Sequence, residues 1–291
     1  MNNNEKVAEG FEIQDEITDR AKALKLQKPD PIETTLPEYA RPKYLKIAST
    51  AVRELLVNGL QKTVRWENDD SGRIVNPEFK ENNLDHVLEL LNWMNEIEFH
   101  FPKLWKEVCG DNLERWMDLM SMIITHDIGE IIVGDMARGH SDFHGKAGKK
   151  HKKKEALMAG LLIDKYLSPE DADRVKVLYR EFERRMPGQK LLMMGHILDK
   201  GQASQNVAKN IVPFNIHVEG TDAHLDVGRS MTTTLKYAHS LAENLSPAAR
   251  KELKTFLEER VVKHFEAVEH PDVPSICNEV RAKFPLVLGK I

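Results

Sequence analysis

The segment from Leu113 to Val133 constrains the fold most, because it is long enough for a helix and apolar almost all round. A helix with this pattern has to be covered on every side, so it belongs at the centre of a helical domain. Amphipathic segments with apolar residues at spacings of three and four surround it, at Leu84 to about Phe99, Lys154 to Tyr166 and about Leu191 to Ala208. Convincing alternating runs typical of strands are absent. The sequence therefore predicts an all-α protein.

The ends of several elements can be predicted from their residue types. Ser168-Pro169 and Ser246-Pro247 each combine a serine N-cap with a proline at the first helical position, and Gly134 is typical of a helix end. Residues 1–42 are charged, carry four prolines and lack helical periodicity, so we predict an N-terminal arm or linker there. The helical domain is predicted for residues 43–291, with a core at about 45–210 and a C-terminal helical extension at about 211–291.

Composition excludes several classes of protein. The formal net charge of −4 gives no strong signal for nucleic-acid binding. Cys109 and Cys277 are too few for a disulfide framework and favour a reducing compartment. No stretch approaches the roughly 18 apolar residues that cross a bilayer, and the polar N-terminus does not resemble a signal peptide. We therefore expect a cytoplasmic protein with no membrane partner.

The sequence HDIGEIIVGD, residues 126–135, places chemistry inside the apolar segment. His126, Asp127 and Glu130 are close enough along a helix to share one side, and Asp135 follows the predicted helix end. Burying an imidazole and two carboxylates without partners is unfavourable. A divalent cation such as Mn, Co, Fe, Mg or Zn satisfies all of them, so we predict a metal site.

One helix cannot complete a metal coordination shell, so other helices must supply ligands. His86 lies in the preceding amphipathic segment and Asp199 lies in the apolar segment GHILDKGQAS. The order of these residues, H…HD…D, resembles the pattern of the HD-domain metal-dependent phosphohydrolases. That resemblance implies an HD-domain helical bundle, to which the sequence pattern adds an extended N-terminal arm and an extra C-terminal helix. It also implies that the metal is held by His86, His126, Asp127 and Asp199.

Within that superfamily the chain looks most like the HD-domain 5′-deoxynucleotidases. Residues 126–135 fit the pattern HD-x-x-E-x-x-x-G-D, ENNLDH at 81–86 resembles the segment around the first histidine, and Arg65-Trp66 resembles an Arg-Trp pair upstream of it. The likeness covers about residues 45 to 210 and extends towards 265. Arg73 competes with Arg65 for this match, and Asp222 is the alternative to Asp199.

The resemblance implies roles for the remaining residues. Arg65 holds the phosphate, Trp66 and Asp135 contact the substrate, and Asp135 lies near the sugar 3′-hydroxyl. Glu130 and Asp135 take part in catalysis or bind a second ion; the sequence does not separate steering of a water from protonation of the leaving oxygen. The expected substrate is a deoxynucleoside 5′-monophosphate.

Two other functions stay open at this point. The same metal site could serve a deoxynucleoside triphosphate triphosphohydrolase or another phosphoester hydrolase, or the chain could be a poorly catalytic nucleotide-binding regulator. A nucleotide or small phosphoester is the expected partner in each case, and a homodimer is left open. The basic run Lys146–Lys154 is interpreted as a solvated loop and helix start, the alternative being a gate for anionic substrate.

The remaining histidines and the tryptophans are interpreted without a role in the site. His140 and His144 are expected at the surface of a glycine-rich loop. A structural role is expected for His100, His196 and His239 and for Trp93, Trp105 and Trp116.

Overall fold

The structure, a computed structural model, describes residues 59–63, 65, 75–76, 78–135, 145–184, 189–215 and 223–289. Within these ranges the regular structure is helical, apart from one isolated bridge at Asn82. The all-α prediction is confirmed. The predicted N-terminal arm lies outside the described residues.

Residues 59–62 are helical, and the helices after them follow one another along the chain. They are α1 (Asn83–His100), α2 (Pro102–Val108), α3 (Leu113–Thr125), α4 (Glu130–Val133), α5 (Lys146–Tyr166), α6 (Pro169–Arg184), α7 (Lys190–Asn206), α8 (Val212–Asn215), α9 (Ala223–Ala242), α10 (Pro247–Leu257), α11 (Lys263–Glu266), α12 (Val273–Lys283) and α13 (Pro285–Leu288). A π turn at Val207–Ile211 joins α7 to α8, and a second at Glu258–Val262 joins α10 to α11.

One hydrophobic core holds most of the helices together. It runs from Leu60 to Leu288 and includes apolar side chains of α1, α3, α7, α9 and α10. Helix α7 is buried along most of its length and packs against α1, α3 and α9. A smaller apolar cluster joins α4, α5 and α6. Helices on all sides of α7 therefore fix the direction in which its polar side chains point.

The prediction of one continuous helix from Leu113 to Val133 is wrong. Helix α3 ends at Thr125, and α4 begins only at Glu130. Between them the backbone forms hydrogen bonds between residues three apart, as in a 3₁₀ turn. The Ile128 amide donates to the Thr125 carbonyl, and the Glu130 amide donates to the Asp127 carbonyl. The histidine and aspartate of the motif therefore lie on a turn, and the predicted helix end at Gly134 is confirmed by its φ of 79°.

Other boundaries agree with the capping residues more closely. Helices α6 and α10 begin at Pro169 and Pro247, as predicted. Helix α5 begins at Lys146, which is earlier than expected, so the basic run belongs to a helix and not to a loop. One extra C-terminal helix was expected from the sequence pattern, and the described chain beyond α8 forms α9 to α13. None of the helices in the described ranges has the length and apolar character needed to cross a membrane.

Candidate metal centre

Three side chains from different parts of the bundle bring ligand atoms together. His86 of α1, His126 of the turn after α3 and Asp199 of α7 are all buried. Nε2 of His86 lies 3.3 Å from Nε2 of His126, and Oδ1 of Asp199 lies 3.6 Å and 3.8 Å from these two nitrogens. The point equidistant from the corners of this triangle is about 2.1 Å from each atom, the usual length of a metal–nitrogen or metal–oxygen bond.

The other ring nitrogens fix how the two histidines face this point. Nδ1 of His86 lies 2.7 Å from Oε1 of Gln202, and Nδ1 of His126 lies 2.7 Å from the carbonyl oxygen of Ile123. Both partners are acceptors, so each Nδ1 donates, and each Nε2 presents a lone pair. Two lone pairs and a carboxylate converging on one point fit a divalent cation.

Asp127 lies beside this triangle. Its Oδ2 is 3.1 Å from Nε2 of His126 and 2.7 Å from Nη1 of Arg65. Burial raises the pKa of Asp127, but the nearby His126 and Arg65 lower it by more than burial raises it. The pKa of Asp127 is therefore held well below its usual range. Asp127 is thus a buried carboxylate next to the metal centre, and its service as a fourth ligand stays a prediction.

Asp199 is also stabilised as a carboxylate. Burial raises the pKa of Asp199, but the ammonium group of Lys200, 2.6 Å from Oδ2, lowers it well below its usual range. Lys200 pairs with Oδ2, whereas Oδ1 belongs to the triangle. The carboxylate therefore offers a ligand atom on one side and is neutralised on the other.

Glu130 differs from these two carboxylates. Its Oε2 accepts a hydrogen bond from Nδ2 of Asn83 at 2.9 Å, and the side chain is buried. Burial, followed by the charges of Asp127 and Asp135, raises the pKa of Glu130 well above its usual range. The protonated form of Glu130 is therefore favoured, which is the form that a general acid requires.

Of the remaining residues predicted for the site or considered for it, the structure describes Asp135 but not several others. Asp135 follows Gly134 and is partly exposed, and its charge acts on both Arg65 and Glu130. Nε2 of His151 on α5 lies 3.1 Å from the Gly134 carbonyl, so the basic start of α5 lies beside this end of the site. The other predicted positions lie outside the described residues: Trp66, Arg73, His140, His144 and Asp222.

Three residues that the prediction did not assign to the site support it. Glu81, Gln202 and Asn206 are buried, and the side-chain amides of Gln202 and Asn206 both donate to Oε1 of Glu81 next to His86. Gln202 follows Asp199 by three residues, and Asn206 follows Gln202 by four. That spacing is a signal in the sequence that they share the face of α7 carrying Asp199.

Several residues for which a structural role was expected lie in the core. The ring of His196 is stacked between those of Phe182 and Tyr237, with centroids 4.1 Å and 4.6 Å away. Trp93 and Trp105 are buried in the main apolar cluster. Their surroundings are those of core residues.

Comparison with known proteins identifies one family. Residues 72–211, just under half of the 291 residues, match the family model described as HD domain. This range contains all three residues of the ligand triangle, His86 on α1, His126 on the turn after α3 and Asp199 on α7. Neither the curated proteins nor the solved structures give a match. The family match, the helical architecture and the His-His-Asp site together identify residues 72–211 as an HD domain, the domain of a superfamily of metal-dependent phosphohydrolases.

Proposed function

We propose that this phosphohydrolase removes phosphate from deoxynucleoside 5′-monophosphates. The observation that carries the proposal is the position of Arg65, whose guanidinium lies 2.7 Å from Asp127 at the edge of the His-His-Asp triangle. A guanidinium beside a metal centre suits a dianionic phosphate, since it can donate two parallel hydrogen bonds to phosphoryl oxygens. The fit of residues 126–135 to the 5′-deoxynucleotidase pattern supports the same substrate.

The chemistry follows from the residues around the triangle. His86, His126 and Asp199, with Asp127 beside them, would hold a divalent ion, which would supply Lewis acidity and make water at the site more acidic. Arg65 holds the phosphoryl group and stabilises the charge that grows on it. Water adds to phosphorus while the bond from phosphorus to the 5′-oxygen breaks, and Glu130 in its protonated form gives a proton to that oxygen. The attacking water loses one proton to solvent, and Glu130 takes a proton back from solvent before the next turnover.

Two further residues act on the nucleoside in this proposal. Asp135, which is partly exposed and follows α4, accepts a hydrogen bond from the sugar 3′-hydroxyl, and Trp66, the next residue after Arg65 in the sequence, contacts the substrate. A carboxylate at the position of Asp135 then favours deoxyribose over ribose. The products are a deoxynucleoside and inorganic phosphate.

The test is a panel of nucleotides assayed on metal-stripped protein after adding back Mn²⁺, Co²⁺, Mg²⁺ or Zn²⁺. We expect metal-dependent release of inorganic phosphate from deoxynucleoside monophosphates, faster than from ribonucleoside monophosphates. Arg65→Ala should raise KM strongly while leaving the bound metal in place. Release of tripolyphosphate from triphosphates, with monophosphates inert, would assign a triphosphohydrolase, and binding without turnover would assign a regulator.

A further inference from the structure

We infer that Glu81 is a positioning residue that fixes both the tautomer of the metal ligand His86 and the orientation of Arg65. Its carboxylate stands between the two, with one oxygen towards α7 and the other towards Arg65. The His86 half of this inference rests on the metal centre. The Arg65 half rests also on the proposed function, in which Arg65 binds phosphate.

The first half follows from a chain of buried hydrogen bonds. Nε2 of Gln202 donates to Oε1 of Glu81 at 2.6 Å, and Oε1 of Gln202 accepts from Nδ1 of His86 at 2.7 Å. A carboxylate only accepts, so Glu81 forces the amide nitrogen of Gln202 to face it. The amide oxygen must then face His86, whose Nδ1 must carry the proton. Glu81 therefore leaves Nε2 of His86 free for a metal, although it never touches the metal centre.

The second half follows from the contacts of Arg65. The backbone amide of Arg65 donates to the carbonyl oxygen of Glu81 at 3.0 Å, and Nε of Arg65 lies 3.4 Å from Oε2 of Glu81. The amide of Asn83 likewise donates to the carbonyl oxygen of Thr63 at 2.9 Å. This pairing fixes the backbone of Arg65 beside α1, and the carboxylate of Glu81 neutralises the inner edge of the guanidinium. Nη1 is then directed towards Asp127.

The burial of Glu81 explains why a carboxylate is needed here. The side chain of Glu81 is 6% exposed, and a buried charge is unfavourable unless it is fully paired. Asn206 adds a further donor to Oε1 at 2.8 Å. A neutral amide could fill the same space, but it could turn either end towards Gln202 and so would not determine the tautomer of His86.

The experiment compares Glu81→Gln with a matched control, Glu98→Gln, which makes the same change at a carboxylate that accepts from Trp116 near the far end of α1. Mn²⁺ affinity is measured by titration, and binding of inorganic phosphate is measured at saturating Mn²⁺. We expect Glu81→Gln to weaken Mn²⁺ binding by roughly 10- to 100-fold and phosphate binding by about tenfold. Glu98→Gln should keep both affinities close to wild type.

A double variant, Glu81→Gln with Gln202→Glu, separates the two halves. The carboxylate now at position 202 accepts directly from His86, so Mn²⁺ affinity should return towards wild type. Phosphate affinity should stay weak, because Arg65 still lacks the carboxylate of Glu81. Wild-type Mn²⁺ affinity in Glu81→Gln, or no rescue in the double variant, would overturn the inference.

The tautomer can also be read in the wild-type protein, where folding of a variant is not in question. Nitrogen-15 shifts of His86 in the metal-free chain should show the Nδ1–H tautomer, and an Nε2–H tautomer would contradict the inference. Wild-type protein that binds Mn²⁺ but not phosphate would remove the proposed function of Arg65, while the tautomer test would still decide the role of Glu81.

Discussion

Glu130 is the residue at which ligand and catalyst can be told apart. Its carboxyl group is anchored by Asn83, and the elevated pKa favours the protonated form. Glu130→Gln keeps an oxygen that can accept from Asn83, but it removes the proton donor. We therefore expect unchanged metal content and a single-turnover rate lower by roughly two to four orders of magnitude.

The control for this substitution is Glu98→Gln, since Glu98 accepts from Nε1 of Trp116 at the far end of α1. It should keep the wild-type rate. Near-normal turnover in Glu130→Gln would exclude an acid role, and loss of the tightly bound metal would instead make Glu130 a ligand.

Glu155 predicts how the stability of the metal-free protein depends on pH. Burial raises the pKa of Glu155 from its ordinary value of 4.5 to about 7, despite the pairing with Lys152. Between these values the folded chain keeps a proton that the unfolded chain loses, so the free energy of unfolding falls as pH rises through this window. At about 1.4 kcal/mol per pKa unit, the loss attributable to Glu155 over the whole window is about 3.5 kcal/mol. About 2 to 3 kcal/mol of this loss falls between pH 5 and pH 8.

Denaturant unfolding at pH 5 and pH 8 measures this effect. Glu155→Gln should make the decrease in stability between the two pH values smaller by that amount. Glu259→Gln, which changes an exposed carboxylate on the second π turn, should leave the decrease unchanged. An equal decrease in Glu155→Gln and wild type would show that Glu155 titrates normally.

At the level of elements, the packing of α5 against the motif turn depends on Gly129. A Cβ atom added there would lie 2.2 Å from the carbonyl oxygen of Glu155, which is too close for any side chain. Gly129→Ala must therefore push α5 away from the turn that carries Asp127 and Glu130. We expect the free energy of unfolding to fall by about 1 to 3 kcal/mol or more, and metal binding to become weaker.

Gly160 provides the matched comparison within α5. An added Cβ there meets nothing within 4 Å, so Gly160→Ala should stabilise the helix by about 0.5 to 1 kcal/mol. Chemical denaturation and Mn²⁺ titration of both variants make the test. Equal effects of the two alanines would show that Gly129 is not a packing constraint.

The same elements show what the sequence could and could not reveal. Helical periodicity and serine-proline caps were sufficient to predict the starts of α6 and α10. The break after Thr125 was not predictable from periodicity, because apolar residues continue through it while the backbone follows three-residue hydrogen bonds. His86, His126 and Asp199 could be selected as polar residues within apolar helices, and the structure brings them together. Glu81 required tertiary contacts, since its partners come from a different helix.

For the whole molecule, the core does not end where the family match ends. The match stops at residue 211, but Val227, Met231 and Leu235 of α9 are fully buried in the same apolar cluster as α7. A chain ending after Asn215 would expose that side of α7. We expect it to lose its cooperative thermal transition and its near-ultraviolet circular dichroism, and with them metal binding.

Deletion of residues 1–42, the predicted arm, is the control for this truncation and should leave a cooperative transition. Cooperative unfolding of the chain ending after Asn215 would show instead that α9 to α13 form a separate folding unit.

The two π turns have a consequence for how sequences of this kind can diverge. A π turn holds one residue more than an α-helical turn, and here each lies inside a long helix, after Asn206 and after Leu257. Loss of a single codon within such a turn could be absorbed by closing it to an α-helical turn. Asp199 and Gln202 precede the first π turn, so they could stay in place while the helix beyond it changes register. Single-residue length differences among related chains are therefore expected in these two segments more than elsewhere in α7 and α10.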